Sequence, residues 1–329
     1  MNALIFAAGT GERLRPYTQK AAKPAIPFLN IPIIAYPLFY LEQAGLKNLV
    51  VNTHHLPATI EKAVKSILHP LNSVMFSHEP EILGSGGGLA QAMDLLADDE
   101  DVFVANGDAV ALFPSPDVLK DLLDLHREES ALASLLVCPF PPAQENFGGV
   151  YVNIKNQVTA FSKTPLNDPH SKPWHFTGFM VVNSRVWKGL AKKPSNLLYD
   201  VLLPKIKAGG RVMAFSQPKT FWFETGNVRD YLNATKSCLE ILSEPSWAEQ
   251  TLAHILERYS PGWRRGFSGA KGGDLGLIGP SNVQNIQVRG FGVVAPGAQV
   301  EKNVTLIRSV IGGSAVLTAG QTVTDQLIL

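Results

Sequence analysis

Residues 1–27 read MNALIFAAGTGERLRPYTQKAAKPAIP. A short apolar run, Ala3 to Ala8, breaks into Gly9-Thr10-Gly11 and then meets four cations, Arg13, Arg15, Lys20 and Lys23. An apolar run that ends in glycines predicts a strand emptying into a turn. Glycines leave backbone N–H groups uncovered, and bare N–H groups beside Arg13 and Lys23 suit the oxygens of a phosphate chain. Arg offers such oxygens a planar fork, and Lys a mobile point charge. The turn is not a Walker A loop, whose glycine spacing before the lysine is absent, nor a GxGxxG fingerprint, because Leu14 takes the place of the third glycine. A nicotinamide-binding fold would also need a carboxylate about 20 positions beyond the turn. Ala25 to Leu29 supply none. Taken alone, the segment also fits a tight strand-to-helix turn with solvated cations.

The local charge stands out because the chain as a whole has almost none: 29 Lys and Arg against 28 Asp and Glu over 329 residues, a net charge of +1. That balance argues against nucleic acid or an anionic membrane surface as a partner. A hydrophobic content of 45% is enough to bury a sizeable core. Cys138 and Cys238 lie far apart, with neither disulfide nor zinc spacing, and read as ordinary buried residues. The first apolar run is too short for a signal peptide. The longest other one, Ile31 to Leu41, is broken by Pro32 and Pro37 and falls short of the roughly 20 residues of a membrane span. The expectation is a cytoplasmic protein that crosses no membrane.

Outward from the opening strand, short apolar runs alternate with segments of helical period: Ile33 to Ala44, NLVVNT, Leu56 to Leu68, SVMFSH, Gly87 to Leu96, DVFVANGD, Pro116 to Glu128 and ALASLLV. This alternation predicts an α/β fold, a Rossmann-like doubly wound sheet, with chemistry in the loops after its strands. Three loops qualify: Gly9 to Lys23, Glu79 to Gly88, and Asn106 to Ala109. From Phe140 to Glu224 the strand-like runs GGVYVNI, VTAFSK, FTGFMVVN and RVMAFS suggest antiparallel additions, making the sheet mixed. A helix over Val228 to Leu242 precedes the glycine-rich SPGWRRGFSGAKGGD, a linker. Beyond it, Val294, Val300 and Leu306 recur every six residues, as do Ala298, Val304, Val310 and Val316. Such hexads predict a small β-helix-like extension of about three coils. A strand pair with accidental spacing is the alternative. The division expected is a catalytic domain over 1–242, a helix and linker over 243–274, and a left-handed β-helix-like unit over 275–329 that offers packing or homo-oligomer surface.

The opening segment does not stand alone. GTGERLRPYTQKAAKPAIP closely resembles the signature of the sugar-1-phosphate nucleotidyltransferases, and NIPIIAYPLFYLEQAGLKNLVVNTHH, EPEILGSGGGLAQA, VANGDA, FGGVYV, FSKTP, FTGFMVVN and FWFETGN resemble later motifs of that family in order. The likeness covers roughly residues 1 to 240. It is greatest to the short branches resembling mannose-1-phosphate guanylyltransferases and N-acetylmuramate-1-phosphate uridylyltransferases. The resemblance implies a glycosyltransferase-A-like nucleotidyltransferase core acting on an NTP and a sugar-1-phosphate, with Mg²⁺ as cofactor. It further implies that Ala7, Ala8, Gly9, Gly11, Arg13, Glu79, Gly84, Ser85 and Asn106 bind the nucleotide. Gly149, Lys163, Thr177 and Gly178 would meet the sugar phosphate, and Asp108 and Glu224 would hold the metal. Arg13, Lys23, Asp108 and Lys163 would carry the catalysis. Charge develops on phosphoryl oxygens and on departing pyrophosphate, so cations and a metal are what the reaction needs. The substrate brings its own anionic nucleophile. His54 and His55, adjacent after a strand and without metal spacing, are expected to serve the loop structurally.

Three departures from the family pattern stand out, of which Ser162 and Glu79 bear on specificity and Glu224 on the metal. Ser162 stands where many relatives carry a glutamate before Lys163, and Glu224 replaces the more usual aspartate. Glu79 replaces the glutamine of thymidylyl- and many uridylyltransferases. A carboxylate only accepts hydrogen bonds, which suits the N1–H and N2–H₂ donors of guanine and so favours GTP. A uridylyltransferase, or a catalytically inactive homologue that binds nucleotide-sugars for regulation, are the alternative readings.

Overall fold

The ALIF run is buried on both faces because its side chains alternate between two cores. Ala3 and Ile5 enter the larger core and Leu4 the smaller, and the neighbouring strands repeat the division with Leu49 and Val51 opposite Val50, and Phe103 and Ala105 opposite Val102 and Val104. Each Val, Leu, Ile or Phe among them, withdrawn from water, contributes roughly 1.5–3 kcal/mol. The computed structural model describes residues 1–70, 73–96, 100–139, 148–164, 166, 172–265, 274–278 and 286–329. Phe147 and Pro165 of the sequence motifs, and residues 266–273 of the linker, lie outside them.

The main sheet runs in the order Val158–Ser162, Gly149–Val152, Lys172–Asn183, Asp101–Asn106, Asn2–Phe6, Asn48–Thr53, Ser73–His78. Asn2–Phe6 pairs in parallel with Asn48–Thr53 on one side and Asp101–Asn106 on the other, and Asn48–Thr53 pairs in parallel with Ser73–His78. Lys172–Asn183 is antiparallel to Asp101–Asn106 and also to Ala133–Cys138, which Val212–Ser216 joins in parallel. The doubly wound mixed sheet expected from the alternation is therefore present. The chain winds outward from Asn2–Phe6 in one direction and then returns to its other side. The crevice between the ends of Asn2–Phe6 and Asp101–Asn106 is thus the topological switch point, where ligands of such sheets sit.

Helix Ala35–Gln43 packs between the sheet and helices Val118–Glu128 and Trp247–Tyr259, with every residue from Ala35 to Leu41 buried. Its Tyr40 hydroxyl donates to the Ala111 carbonyl at 3.4 Å and accepts from Phe113 N at 3.1 Å, so the one polar atom of that side chain is satisfied. Cys138 and Cys238 are free and buried. Among the described residues no helix is long and apolar enough to cross a membrane.

The C-terminal strands form parallel coils, as a β-helix requires, but with a step that the hexads do not show. Val310 pairs with Leu327, Gln299 with Val316 and Thr305 with Thr322, each 17 positions on, one short of three hexads, whereas Gln287 still pairs with Thr305, 18 on, before a register shift brings Gly292 to Ser309, 17 on. The lost residue moves the phase. Val316, in line with the hexads, is 62% exposed, and Leu317 is buried in its place. The coils do not stand apart from the sheet: Leu277, Phe291, Val293, Val310 and Leu327 join the larger core. The Tyr17 hydroxyl donates to the Leu327 carbonyl, and Asn30 Nδ2 donates to the Val294 carbonyl at 3.2 Å.

Candidate active site

The three loops singled out in the sequence meet at the switch point and wall a cleft of about 510 Å³. Ala7, Ala8, Gly9, Gly11, Arg13, Lys23, Glu79, Gly84, Ser85, Asn106 and Asp108 all line it. Gly11 has a left-handed backbone, φ 64°, and a Cβ there would sit 2.8 Å from Thr18 Cγ2. Glycine is needed on both counts. Gly9 has nothing within 4 Å of where a Cβ would lie, so its backbone faces open space. The buried Leu14 anchors the short turn Glu12–Leu14 beneath. His55 Nε2 bonds the Thr18 carbonyl at 2.6 Å and His54 Nδ1 the Glu79 carbonyl at 2.8 Å, which gives both histidines the structural role expected of them.

At one end of the cleft, charge is concentrated. Lys23 Nζ lies 2.8 Å from Asp108 Oδ2 and 3.9 Å from Glu224 Oε1, and Arg13 Nη2 lies 3.8 Å from the same Glu224 oxygen. Burial opposes ionisation of Asp108, but the charge and hydrogen bond of Lys23, with a smaller pull from Arg13, hold its carboxyl below the ordinary carboxylate range. A recess of about 70 Å³ adjoins these groups, walled also by Thr177, Gly178, Phe176 and Trp222. The Thr177 hydroxyl is already committed to the Leu136 carbonyl at 2.8 Å. Among the described residues no group of three or more His, Cys, Asp or Glu side chains could hold a metal. Asp108 and Glu224 nonetheless both face the Lys23 ammonium, so the pair is arranged around a cation. Two carboxylates completed by phosphate oxygens and water are a common way to hold Mg²⁺.

The other end is shaped by close approach. Helix Gly84–Ala92 begins GSGGG, and its glycines let the backbone of 193–197 lie directly on it. Gly86 N donates to the Ser195 carbonyl at 2.9 Å, Ser195 N to the Leu83 carbonyl at 2.9 Å, and Leu197 N to Ser85 Oγ at 2.8 Å. Leu197–Leu202 then forms a π-helical turn, a form that is frequent at functional sites. Its Tyr199 ring carries Lys163 Nζ 5.8 Å from the centroid. Lys163 and Gly149 wall neither cavity: Lys163 rests on Tyr199, and Gly149 sits in a strand paired with Ser162.

A strand-end glycine loop, two cations and two carboxylates thus meet at one switch point. The sequence profile of the nucleotidyl transferase family matches residues 2–241. The chain belongs to that family. The resemblance drawn from the motifs is borne out, and the protein is an enzyme of nucleotidyl transfer. Among curated relatives, a rice protein (Oryza sativa subsp. japonica) named "Probable mannose-1-phosphate guanylyltransferase 3" is 28% identical over 98% of this chain and 88% of its own length. Mannose-1-phosphate guanylyltransferase 1 of Arabidopsis thaliana is 29% identical over 78% of this chain and 70% of its own length. The crystal structure of UDP-glucose pyrophosphorylase complexed with UDP-glucose superposes with a TM-score of 0.60 at 18% identity, covering 72% of this chain and 97% of that one, and so shows the shared fold.

Several residues of this nucleotidyltransferase site do not stand out in the sequence. Asn52 is buried near the end of the parallel strand Asn48–Thr53, where an amide after a run of apolar residues is a readable signal. Trp222 and Tyr199 carry none, because aromatic residues at such spacing are ordinary core. Trp222 packs with its ring centroid 4.3 Å from that of His175, whose burial lowers its pKa from 6.5 to about 4. In the unfolded chain this imidazole takes a proton near pH 6.5, whereas the folded protein keeps it neutral down to about pH 4. The stability it supports is therefore complete above pH 6.5 and is lost progressively as the pH falls to about 4, by roughly 3 kcal/mol in all. His175→Phe is expected to flatten the fall in urea midpoint between pH 7 and 4.5, measured against the parent. An identical fall in both proteins would remove this assignment.

Proposed function

We propose that this nucleotidyltransferase transfers a nucleoside monophosphate from an NTP to a sugar-1-phosphate, with GTP and mannose-1-phosphate as the favoured pair. The convergence of Arg13, Lys23, Asp108 and Glu224 at one end of a glycine-lined cleft carries the reading. The guanylyltransferase names of the curated relatives support the choice of pair. A phosphate oxygen of the sugar-1-phosphate forms a bond to the α-phosphorus as the bond from that phosphorus to the bridging β-phosphate oxygen breaks, and pyrophosphate leaves with the electron pair. Gly9 and Gly11 present the loop backbone to the triphosphate, and Arg13 and Lys23 offset the charge that gathers on the transferring and departing groups. Asp108 and Glu224 would hold Mg²⁺, which when bound supplies further positive charge at the phosphoryl oxygens. Lys163, which lies over Tyr199 and outside the walls of both cavities, is the residue that the family resemblance assigns to the sugar phosphate. No side-chain nucleophile is needed.

The inactive regulatory reading has little to recommend it, since a protein that only binds has no use for paired cations and carboxylates at the reacting end. Pyrophosphate release with Mg²⁺, over a panel of NTPs and sugar-1-phosphates, tests the assignment. The highest rate is expected with GTP and mannose-1-phosphate. Release with UTP alone would move the reading to a uridylyltransferase, and no release with any pair would overturn it.

A further inference from the structure

We propose that Glu79 is a positioning residue, which locks the base loop to the phosphate loop through Asn52 and does not itself read the nucleobase. This inference rests on the nucleotidyltransferase reading of the cleft. Glu79 is 0% exposed. Its Oε1 accepts from Asn52 Nδ2 at 2.6 Å and its Oε2 from Leu83 N at 2.9 Å. Its backbone is occupied too, since its N–H donates to the Thr53 carbonyl at 2.7 Å and its carbonyl meets His54 Nδ1 at 2.8 Å. Asn52 in turn accepts from Ala7 N at 2.6 Å through Oδ1. A Cβ on Gly88 would lie 2.7 Å from both Asn52 Nδ2 and Glu79 Oε1, so the helix backbone closes over the pair.

The polarity of this chain explains the residue types. Leu83 N–H and one Asn52 N–H both point at residue 79, and Ala7 N–H points at residue 52. Residue 79 must therefore accept at both of its terminal atoms, which a carboxylate does with its two oxygens and an amide, with one oxygen and one NH₂, cannot. Glutamine would turn an N–H toward one of two N–H groups. Rotating the Asn52 amide would only pass the clash on to Ala7. Ala7 opens the phosphate loop and Leu83 precedes Gly84, so one buried pair sets the spacing of the loops that hold the two ends of the nucleotide. The acceptor-only character that favours guanine on sequence grounds has an internal use here.

The same polarity supplies a test by exchange. In a double variant combining Asn52→Asp with Glu79→Gln, the carboxylate now at position 52 accepts from Ala7 N and from the amide nitrogen at position 79. The amide oxygen at position 79 then accepts from Leu83 N. Every bond is regained with the carboxylate moved one step along the chain of contacts. Glu79→Gln alone is expected to lower the melting temperature by roughly 3–8 °C. It should also lower kcat/KM on the order of 10–100-fold for GTP and UTP alike, leaving their ratio unchanged within about 2-fold. Asn52→Asp alone sets two carboxylates face to face and should fall similarly. The double variant should recover most of both losses. A shift in the GTP to UTP ratio with Glu79→Gln, or a double variant no better than the singles, would overturn the proposal. The melting temperatures decide the exchange even if the parent releases no pyrophosphate, so failure of the activity reading is read separately.

Discussion

Asp108→Asn is expected to lower turnover by about 10³-fold while leaving the protein folded. The carboxylate lies 2.8 Å from Lys23 at the reacting end of the cleft, and Glu224 is a further 3.9 Å contact of the same ammonium. Asparagine keeps the shape and can still accept a hydrogen bond from Lys23, but it removes one of the two carboxylate charges facing that point. Cation-assisted stabilisation of a phosphoryl group contributes several kcal/mol, and each 1.36 kcal/mol is a factor of ten in rate. Losing most of that contribution gives the 10³. Lys23 is buried, but asparagine keeps a hydrogen bond to its ammonium and Glu224 keeps a charge near it, so the fall in urea midpoint should be modest, on the order of 1–2 kcal/mol in stability. A variant that turns over within about 5-fold of the parent at saturating Mg²⁺ would remove Asp108 from the site.

Gly87→Ala is expected to destabilise the protein by roughly 2–4 kcal/mol, even though alanine is the better helix former by about 1 kcal/mol. A Cβ at this position would fall on the Lys193 carbonyl oxygen and lie 2.8 Å from Leu83 Cβ. Both neighbours belong to fixed backbone or core, so one side must move. Overpacking of this sort costs about 1–3 kcal/mol. Separating segment 193–197 from the helix also strains three hydrogen bonds, each worth about 1 kcal/mol. The close-approach cost outweighs the propensity gain. The melting temperature should drop by roughly 5–15 °C, and KM for the NTP should rise because Ser85 and Gly84 shift with the helix. Gly9→Ala, with nothing within 4 Å of the added methyl, is the comparison: it should melt with the parent. Equal melting temperatures for all three proteins would refute the clamp.

The sheet and its site loops are legible in the sequence because both are local. Strands Asn48–Thr53 and Ser73–His78 coincide with NLVVNT and SVMFSH, since apolar β-branched runs bounded by polar residues have few other ways to fold. Topology then brings the three loops to one point, and the glycines and cations of the opening segment fall into place. What cannot be read depends on contacts distant in sequence. Nothing in a strand of six residues says that Asn52 will face Glu79, 27 positions later. The Ser195 contact with the glycine helix is of the same kind. The repeat is visible but its step is not, because hexads that lose one residue at a register shift still look like hexads over two or three turns. The hexad phase puts Val316 in the core, and the coils leave it outside.

The coil stack also functions as a ruler. Its last strand ends against Tyr17, on the segment that carries the phosphate loop from Gly11 to Lys23, and successive coils are one sheet spacing apart, about 4.8 Å. An insertion or deletion of 17 residues among the last coils would keep their pairing in phase. It would still carry the carbonyl now held by Leu327 a full spacing away from Tyr17. The coil stack is thus tied, through a single hydroxyl, to the segment between Gly11 and Lys23 that walls the cleft.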